Sequence, residues 1–251
     1  MLLTPLEQFQ IISIFSIKLF CLDFSLTNLL LIGLIVLFFL NYIVSFSLKN
    51  TSFFFVPHNW QTLVEMITET VSYLVYDNIN EEGEKYFPFI FSIFTFVMLV
   101  NLIGLVPYSF TITSHLVVTF TLSLSIFIGC NIIFIRKYKV KALSLFLPSN
   151  TTFVLALLLV PIEVVSHIFK PISLGVRLFA NLMAGHTLLK VIIGFSWAML
   201  LLENIISIFH VIPLIVIVIL FGLELGVAII QAFVFTILTC IYLNDSIHLS
   251  H

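Results

Sequence analysis

Charge is what this chain has least of. Among 251 residues only 10 are Lys or Arg and 12 are Asp or Glu, together 9%, against about 25% in soluble domains. So little charge cannot cover a water-facing surface, and a soluble globular protein is excluded. Cysteine is scarce as well: Cys21, Cys130 and Cys240 lie far apart with no CxxC spacing, which argues against a metal site or a disulfide framework and reads as apolar filler. A basic segment ahead of an apolar run is missing from the opening MLLTPLEQFQ, so no cleavable secretory signal is expected and the first apolar run reads as a retained span. No internal repeat is visible, which counts against inverted-repeat transporters. No lysine follows Lys190 and the histidines show no axial-ligand spacing, so retinal and haem membrane proteins are disfavoured. A net charge of −2 carries no information about partners.

What is present is apolar. Hydrophobic residues make up 61% of the chain and the mean hydropathy is +1.24. At about 20 residues per membrane helix the length accommodates five or six spans. The expected fold is an all-α membrane protein forming one integral membrane domain over residues 1–251. It should have about five membrane-crossing helices, one amphipathic surface helix and a C-terminal hairpin of two long, strongly tilted helices.

The first span is expected at 26–46. An amphipathic helix follows at 57–78, started by Pro57 and Asn59 and ended by the NINEEGE run. There Leu63, Ile67, Val71, Leu74 and Val75 recur at three- and four-residue spacing, with Glu65, Glu69 and Ser72 between them, the pattern of a helix lying on a membrane or a neighbour. A helical hairpin is expected at 87–135, turning tightly at Pro107 and SFTITS. The RKYKVK cluster after it, with Arg136, Lys137, Lys139 and Lys141, belongs on the cytoplasm-like side. The N-terminus then lies on the opposite side, and the amphipathic helix on the basic side.

Residues 148–243 hold two long apolar stretches without polar connections inside either. About 47 residues at 1.5 Å each reach roughly 70 Å, more than twice the hydrocarbon thickness. Two tilted helices, kinked near Pro161, Pro171 and Pro213 and folded back around residue 204 or 205, fit this best. About that pivot, Arg177 and Gln231, His186 and Glu224, and Glu163 and Asp245 fall at matching depths.

Polar groups inside a membrane are costly and usually functional. His186 lies about 13 Å along the helix from Arg177, and Glu163 about 21 Å the other way. Arginine cannot deprotonate in a protein, so Arg177 cannot carry protons. It can gate them, repelling hydrogen ions while favouring the ionised form of a carboxylate brought beside it. The alternative for Arg177 is a buried ion pair with Glu224. Lys170 and Lys190 read as snorkelling side chains. His167 and His210 fit either helix contacts or a proton path. Asn181 fits interhelical hydrogen bonding or function, and Glu163 and Asp245 fit either a path or a solvated membrane edge. Gly175, Ala180, Ala184 and Gly185 read as ordinary close packing. A self-contained proton or ion channel or transporter is the competing reading, and a purely structural membrane subunit another.

RLFANLMAGH at 177–186 and GLELGVAIIQAFVFTILTCIYLND at 222–245, with TPLEQF, VPHNWQTLVE and NLIGLVPYSFTITSH earlier, resemble subunit a of the F-type ATP synthase, in its mitochondrial form. The resemblance covers nearly the whole chain. It implies a non-catalytic proton-channel stator packed against a rotating ring of c subunits, each bearing an essential carboxylate. Arg177 matches the essential arginine that faces this carboxylate and separates two offset half-channels. His186 and Glu224 match the half-channel from the intermembrane space. Glu163 and Asp245 match the matrix-side exit, Gln231 the residue facing the arginine, and Ser173 and Asn181 further motif positions. Bacterial relatives often interchange the residue types at 186 and 224, so His186 with Glu224 favours a mitochondrial member. Also implied are peripheral-stalk and other membrane-sector partners, a lipid bilayer, protons as cargo, no cofactor, no metal and no nucleic acid. The location implied is the mitochondrial inner membrane, N-terminus in the intermembrane space and C-terminus in the matrix.

Overall fold

The structure, a computed structural model, describes residues 7–16, 18–19, 22–23, 25–49, 59–106, 109–139, 153–201 and 211–247. Six α-helices dominate these residues: α1 (Asn28–Lys49), α2 (Asn59–Ile79), α3 (Phe87–Gly104), α4 (Leu116–Tyr138), α5 (Phe153–Leu200) and α6 (Val211–Ile247). Four stretches are long and apolar enough to cross a membrane, at residues 82–104, 116–138, 158–200 and 211–247, and Asn28–Ile43 is a shorter apolar helix. The all-α membrane reading is therefore correct. The expected start at Pro57, the expected turn at Pro107, Lys141, Cys21 and His210 lie outside the described residues.

Four short strands were not anticipated: β1 (Ser13–Phe15), β2 (Lys18–Leu19), β3 (Leu22–Asp23) and β4 (Leu26–Thr27). They form two antiparallel pairs, β1 with β4 and β2 with β3. Two or three residues per strand are too few for a readable period-2 pattern.

α5 is the longest element, at 48 residues, roughly 70 Å at 1.5 Å per residue. Pro161 and Pro171 lie within it. Each removes one backbone donor from the ladder and crowds the preceding turn, yet helix is assigned throughout. The chain packs as two compact units that share α1, α3, α5 and α6. One contains residues 1–42, 96–115 and 178–232, the other 43–95, 116–177 and 233–251.

In the first unit, α5 and α6 run antiparallel, with Leu178, Leu182, Ala228 and Ala232 buried. The fully buried Asn101 of α3 donates its side-chain amide to the Ala228 carbonyl (3.2 Å). In the second unit, α4 buries Thr119, Ser123, Ile126, Cys130 and Phe134, a single stripe at three- and four-residue steps. Two of its members are small hydroxyl residues. This lets α5 approach so closely that a Cβ at Gly175 would lie 2.7 Å from Ser123 Oγ and 3.1 Å from the Thr119 carbonyl.

α2 is amphipathic, as its spacing suggests. Val71, Leu74 and Val75 are buried as expected, joined by Val64 and Ile79, whereas Leu63 is exposed. At the following 3-10 turn Gly83 sits directly on Val75 and Ile79. Beside the same turn, Lys137 Nζ donates to the last carbonyl of α6, that of Ile247 (2.9 Å). Tyr138 donates its hydroxyl to the same oxygen, and Lys137 also pairs with Glu82 at 3.5 Å. A cation and a hydroxyl thus satisfy a helix C-terminus, which has carbonyls to spare and negative partial charge.

Candidate functional site

Of the three depth-matched pairs, one meets as expected. His186 on α5 and Glu224 on α6 approach to 3.6 Å between Nε2 and Oε1. Glu224 is 5% exposed. Neither of its carboxylate oxygens, nor His186 Nε2, has a hydrogen-bond partner among the described residues. Gly185 explains how the carboxylate fits. A Cβ there would stand 2.7 Å from Glu224 Oε1 and 3.0 Å from its carboxyl carbon, so the Glu224 head occupies space that any side chain at 185 would fill. Gly185 is thus a part of the site and not ordinary packing. A desolvated acid beside an imidazole, with hydrogen-bonding capacity to spare, suits a group that exchanges protons.

A second polar contact lies one to two turns along. Asn181 donates its side-chain amide to Gln231 Oε1 (3.1 Å), and the buried Gln231 Nε2 has no acceptor among the described residues. Asn181 is therefore an interhelical hydrogen-bond partner, whatever else it does.

Beside the His186 end of this pair opens a cavity of about 780 Å³. His186, Leu189, Lys190 and Ile193 of α5 form one wall, Ile217, Val218 and Phe221 of α6 another, and residues 7–12 a third. It is apolar over most of its surface, with Glu7, His186 and Lys190 among its few polar lining residues.

In the other unit, a second cluster surrounds the first half of α5. Lys170 Nζ lies 3.7 Å from Asp245 Oδ2 on α6 and 5.6 Å from the centre of the Tyr242 ring. His167 Nε2 approaches Asn131 Oδ1 on α4 at 3.3 Å, its ring 4.9 Å from that of Phe127. Glu163, one helical turn before His167, and Asp245 both lie within electrostatic range of His167. Glu163 and Asp245 thus belong to one cluster, but the close partner of Asp245 is Lys170, which is not merely snorkelling. Tyr242 and Asn131 went unnoticed in the sequence. An aromatic and an amide among apolar residues give no helical-period signal of their own.

Arg177 is exposed on α5, as are Ser173, Ala180, Asn181 and Ala184. These positions recur every three or four residues and so share one helical face. No carboxylate lies within ion-pair distance of Arg177 among the described residues. Glu224, its proposed in-chain counter-ion, pairs with His186 instead. The structure therefore leaves the Arg177 guanidinium exposed.

Known proteins resemble this chain along nearly its whole length. The family model described as ATP synthase A chain matches residues 26–244. ATP synthase subunit a of Pylaiella littoralis is 52% identical over 247 residues, covering 97% of this chain and 98% of the relative. ATP synthase subunit a of Chondrus crispus is 49% identical, covering 96% and 95%. The same subunit of Marchantia polymorpha is 45% identical, covering 98% of each. With a family model matching most of its length and relatives at about half identity from end to end, the chain belongs to the ATP synthase A chain family.

Proposed function

We propose that this chain is the proton-translocating stator of a mitochondrial F-type ATP synthase, working against a ring of c subunits that each carry an essential carboxylate. Arg177 meets that carboxylate, keeps it ionised, and separates two offset half-channels. His186 and Glu224 load protons from the intermembrane space. Glu163 and Asp245, with His167 and Lys170 beside them, pass protons to the matrix. Gln231, Asn181 and Ser173 support the arginine face.

The observation that carries this reading is the exposure of Arg177 without a counter-ion among the described residues. A permanent charge at membrane depth is expensive unless something pairs with it, and a partner that brings its own carboxylate supplies the pairing intermittently. The small neighbours Ser173, Ala180 and Ala184 suit a close approach. So does α6, where Gly222 and Gly226 carry open space in place of a side chain beside exposed Ile219, Leu223 and Ile230. Peripheral-stalk and other membrane-sector subunits suit α2, where Trp60, Met66, Tyr73 and Tyr76 stand exposed. The chain sits in the mitochondrial inner membrane with its N-terminus in the intermembrane space and its C-terminus in the matrix. The basic end of α4, carrying Arg136 and Lys137, and the end of α6 that it caps share the matrix side.

The test is Arg177→Ala in the assembled complex. ATP synthesis should vanish while passive proton leak through the membrane sector persists or rises. Each proton crossing 100 mV carries about 2.3 kcal/mol, so leak is read directly as lost potential. Surviving synthesis would make Arg177 a structural residue. Loss of both synthesis and leak, with the complex intact, would put Arg177 in the conduction path itself.

A further inference from the structure

We infer that Glu7, on the 3-10 turn Glu7–Phe9, is the proton-collecting carboxylate at the outer mouth of the cavity that leads to His186. The inference rests on the reading of His186 and Glu224 as a proton relay and adds where that relay draws its protons. Four features carry it.

The first is connectivity. One cavity of about 780 Å³ is lined both by Glu7, Gln8 and Gln10 and by His186 and Lys190. At about 30 Å³ of liquid per molecule, it has room for a continuous column of water between the two ends. The second is charge. Glu7 is the one carboxylate among the lining residues, and Lys190 the one permanent cation. Every other group facing this space is uncharged: Gln8, Gln10, Ile12 and Asn28 from the N-terminal segment and α1, Leu105, Val106, Ser109 and Phe110 from the α3–α4 connection, and Ile217, Val218 and Phe221 from α6. Lys190 stands one helical turn beyond His186 and faces the same space, where its field repels hydronium. A carboxylate facing the same water offsets that field and concentrates hydrogen ions.

The third feature is anchoring. Asn28, the first residue of α1, accepts from the Ile12 amide (3.2 Å) and donates to the Gln10 carbonyl (3.1 Å). Its own backbone N–H donates to the Ile12 carbonyl (3.2 Å), and the Gln10 N–H closes the turn on the Glu7 carbonyl (3.2 Å). The segment bearing Glu7 is clipped to a helix. The fourth is an available donor: the buried Gln8 Nε2, in the same wall, has no acceptor among the described residues.

The step balances simply. The Glu7 carboxylate takes a proton from hydronium and releases water. It then returns to its anion as the proton passes along cavity water to His186 and from there to Glu224.

The experiment uses the assembled ATP synthase in liposomes, measuring synthesis against the pH of the compartment that the cavity faces, at constant total driving force. Glu7→Gln should match the parent near pH 6, where protons are plentiful. At pH 8 it should be about three- to tenfold slower, as a single charge contributes less than the tenfold or more by which whole charged clefts alter encounter rates. Glu7→Asp should restore most of the rate at pH 8. A Glu7→Gln profile that superimposes on the parent overturns the inference. So does uniform slowing at every pH, which is what a merely structural role would give. Should Glu7→Gln fail to assemble, Lys190→Met decides: a higher rate at pH 8 supports the field argument, and an unchanged one overturns it. His186→Ala separates the two levels. Full synthesis in that variant removes the relay itself, whereas a dead His186→Ala with a flat Glu7→Gln profile removes only the role of Glu7.

Discussion

At the scale of single residues, Gly185 and His186 show how adjacent positions divide one task. His186 approaches Glu224, and Gly185 makes the room in which the Glu224 head lies, all three of its nearest atoms belonging to that side chain. Gly185→Ala should therefore behave unlike a folding mutation. Alanine in a helix interior gains about 1 kcal/mol over glycine, so assembly should survive. The displaced carboxylate should lower ATP synthesis about ten- to hundredfold, the penalty for misplacing a reacting group by about 1 Å. Normal synthesis with the complex intact would show that the position of Glu224 is not constrained. The His186–Glu224 pair was legible from the fold-back pivot near residue 205. The contacts of Asn181 with Gln231 and Lys170 with Asp245 were not, because they centre nearer 206 and 208. Side chains on packed helices reach a turn along the axis, so equal depth is only a first guess at who meets whom.

At the scale of elements, two glycines test what the long helices pack against. A Cβ at Gly175 meets backbone of α4, the Thr119 carbonyl at 3.1 Å and Phe120 Cα at 3.2 Å, as well as Ser123 Oγ. Backbone cannot swing aside, so the roughly 1 kcal/mol of helix propensity gained by Gly175→Ala is outweighed by about 1–3 kcal/mol of overpacking. Lower thermal stability is expected. Gly222 on α6 has nothing within 4 Å. Gly222→Ala should leave the isolated chain as stable or more so, yet impair synthesis if a ring of c subunits passes that face. Equal thermal shifts for the two variants would contradict the difference in packing. Hydropathy and helical period made α1, α3, α4, α5 and α6 readable. In α2 the buried stripe was readable at Val71, Leu74 and Val75, but not at its start, where Leu63 and Val64 are both apolar and only Val64 is buried. The strands β1 to β4 are held by turn geometry and by Asn28 more than by any pattern of their own side chains.

At the scale of the whole molecule, composition alone excluded a soluble fold, since 9% charge leaves no other solvent than lipid. The division into two compact units was not legible. Its boundaries fall inside α1 and α3 as well as inside α5, between Arg177 and Leu178, and α6, between Ala232 and Phe233, all within continuous helices. Such boundaries follow long-range contacts, which a linear pattern does not contain. Sidedness can be tested directly. A membrane-impermeant maleimide added outside mitochondria stripped of their outer membrane should label Gln10→Cys and spare Lys139→Cys. Opening the inner membrane should then expose the second site. The reverse pattern would invert the orientation and move His186 and Glu224 to the matrix half of the path.

The cavity beside His186 has a statistical consequence. In about 780 Å³ of water at pH 7, simple counting finds a free hydronium in only about one snapshot in twenty million, although imidazole groups titrate in this range. The space is thus almost never occupied by its own cargo. On the proposed reading it would work as a solvent bridge between bound protons, and the supply of the motor would be set by how often a side chain at the rim is recharged from the bulk, not by how much the vestibule holds.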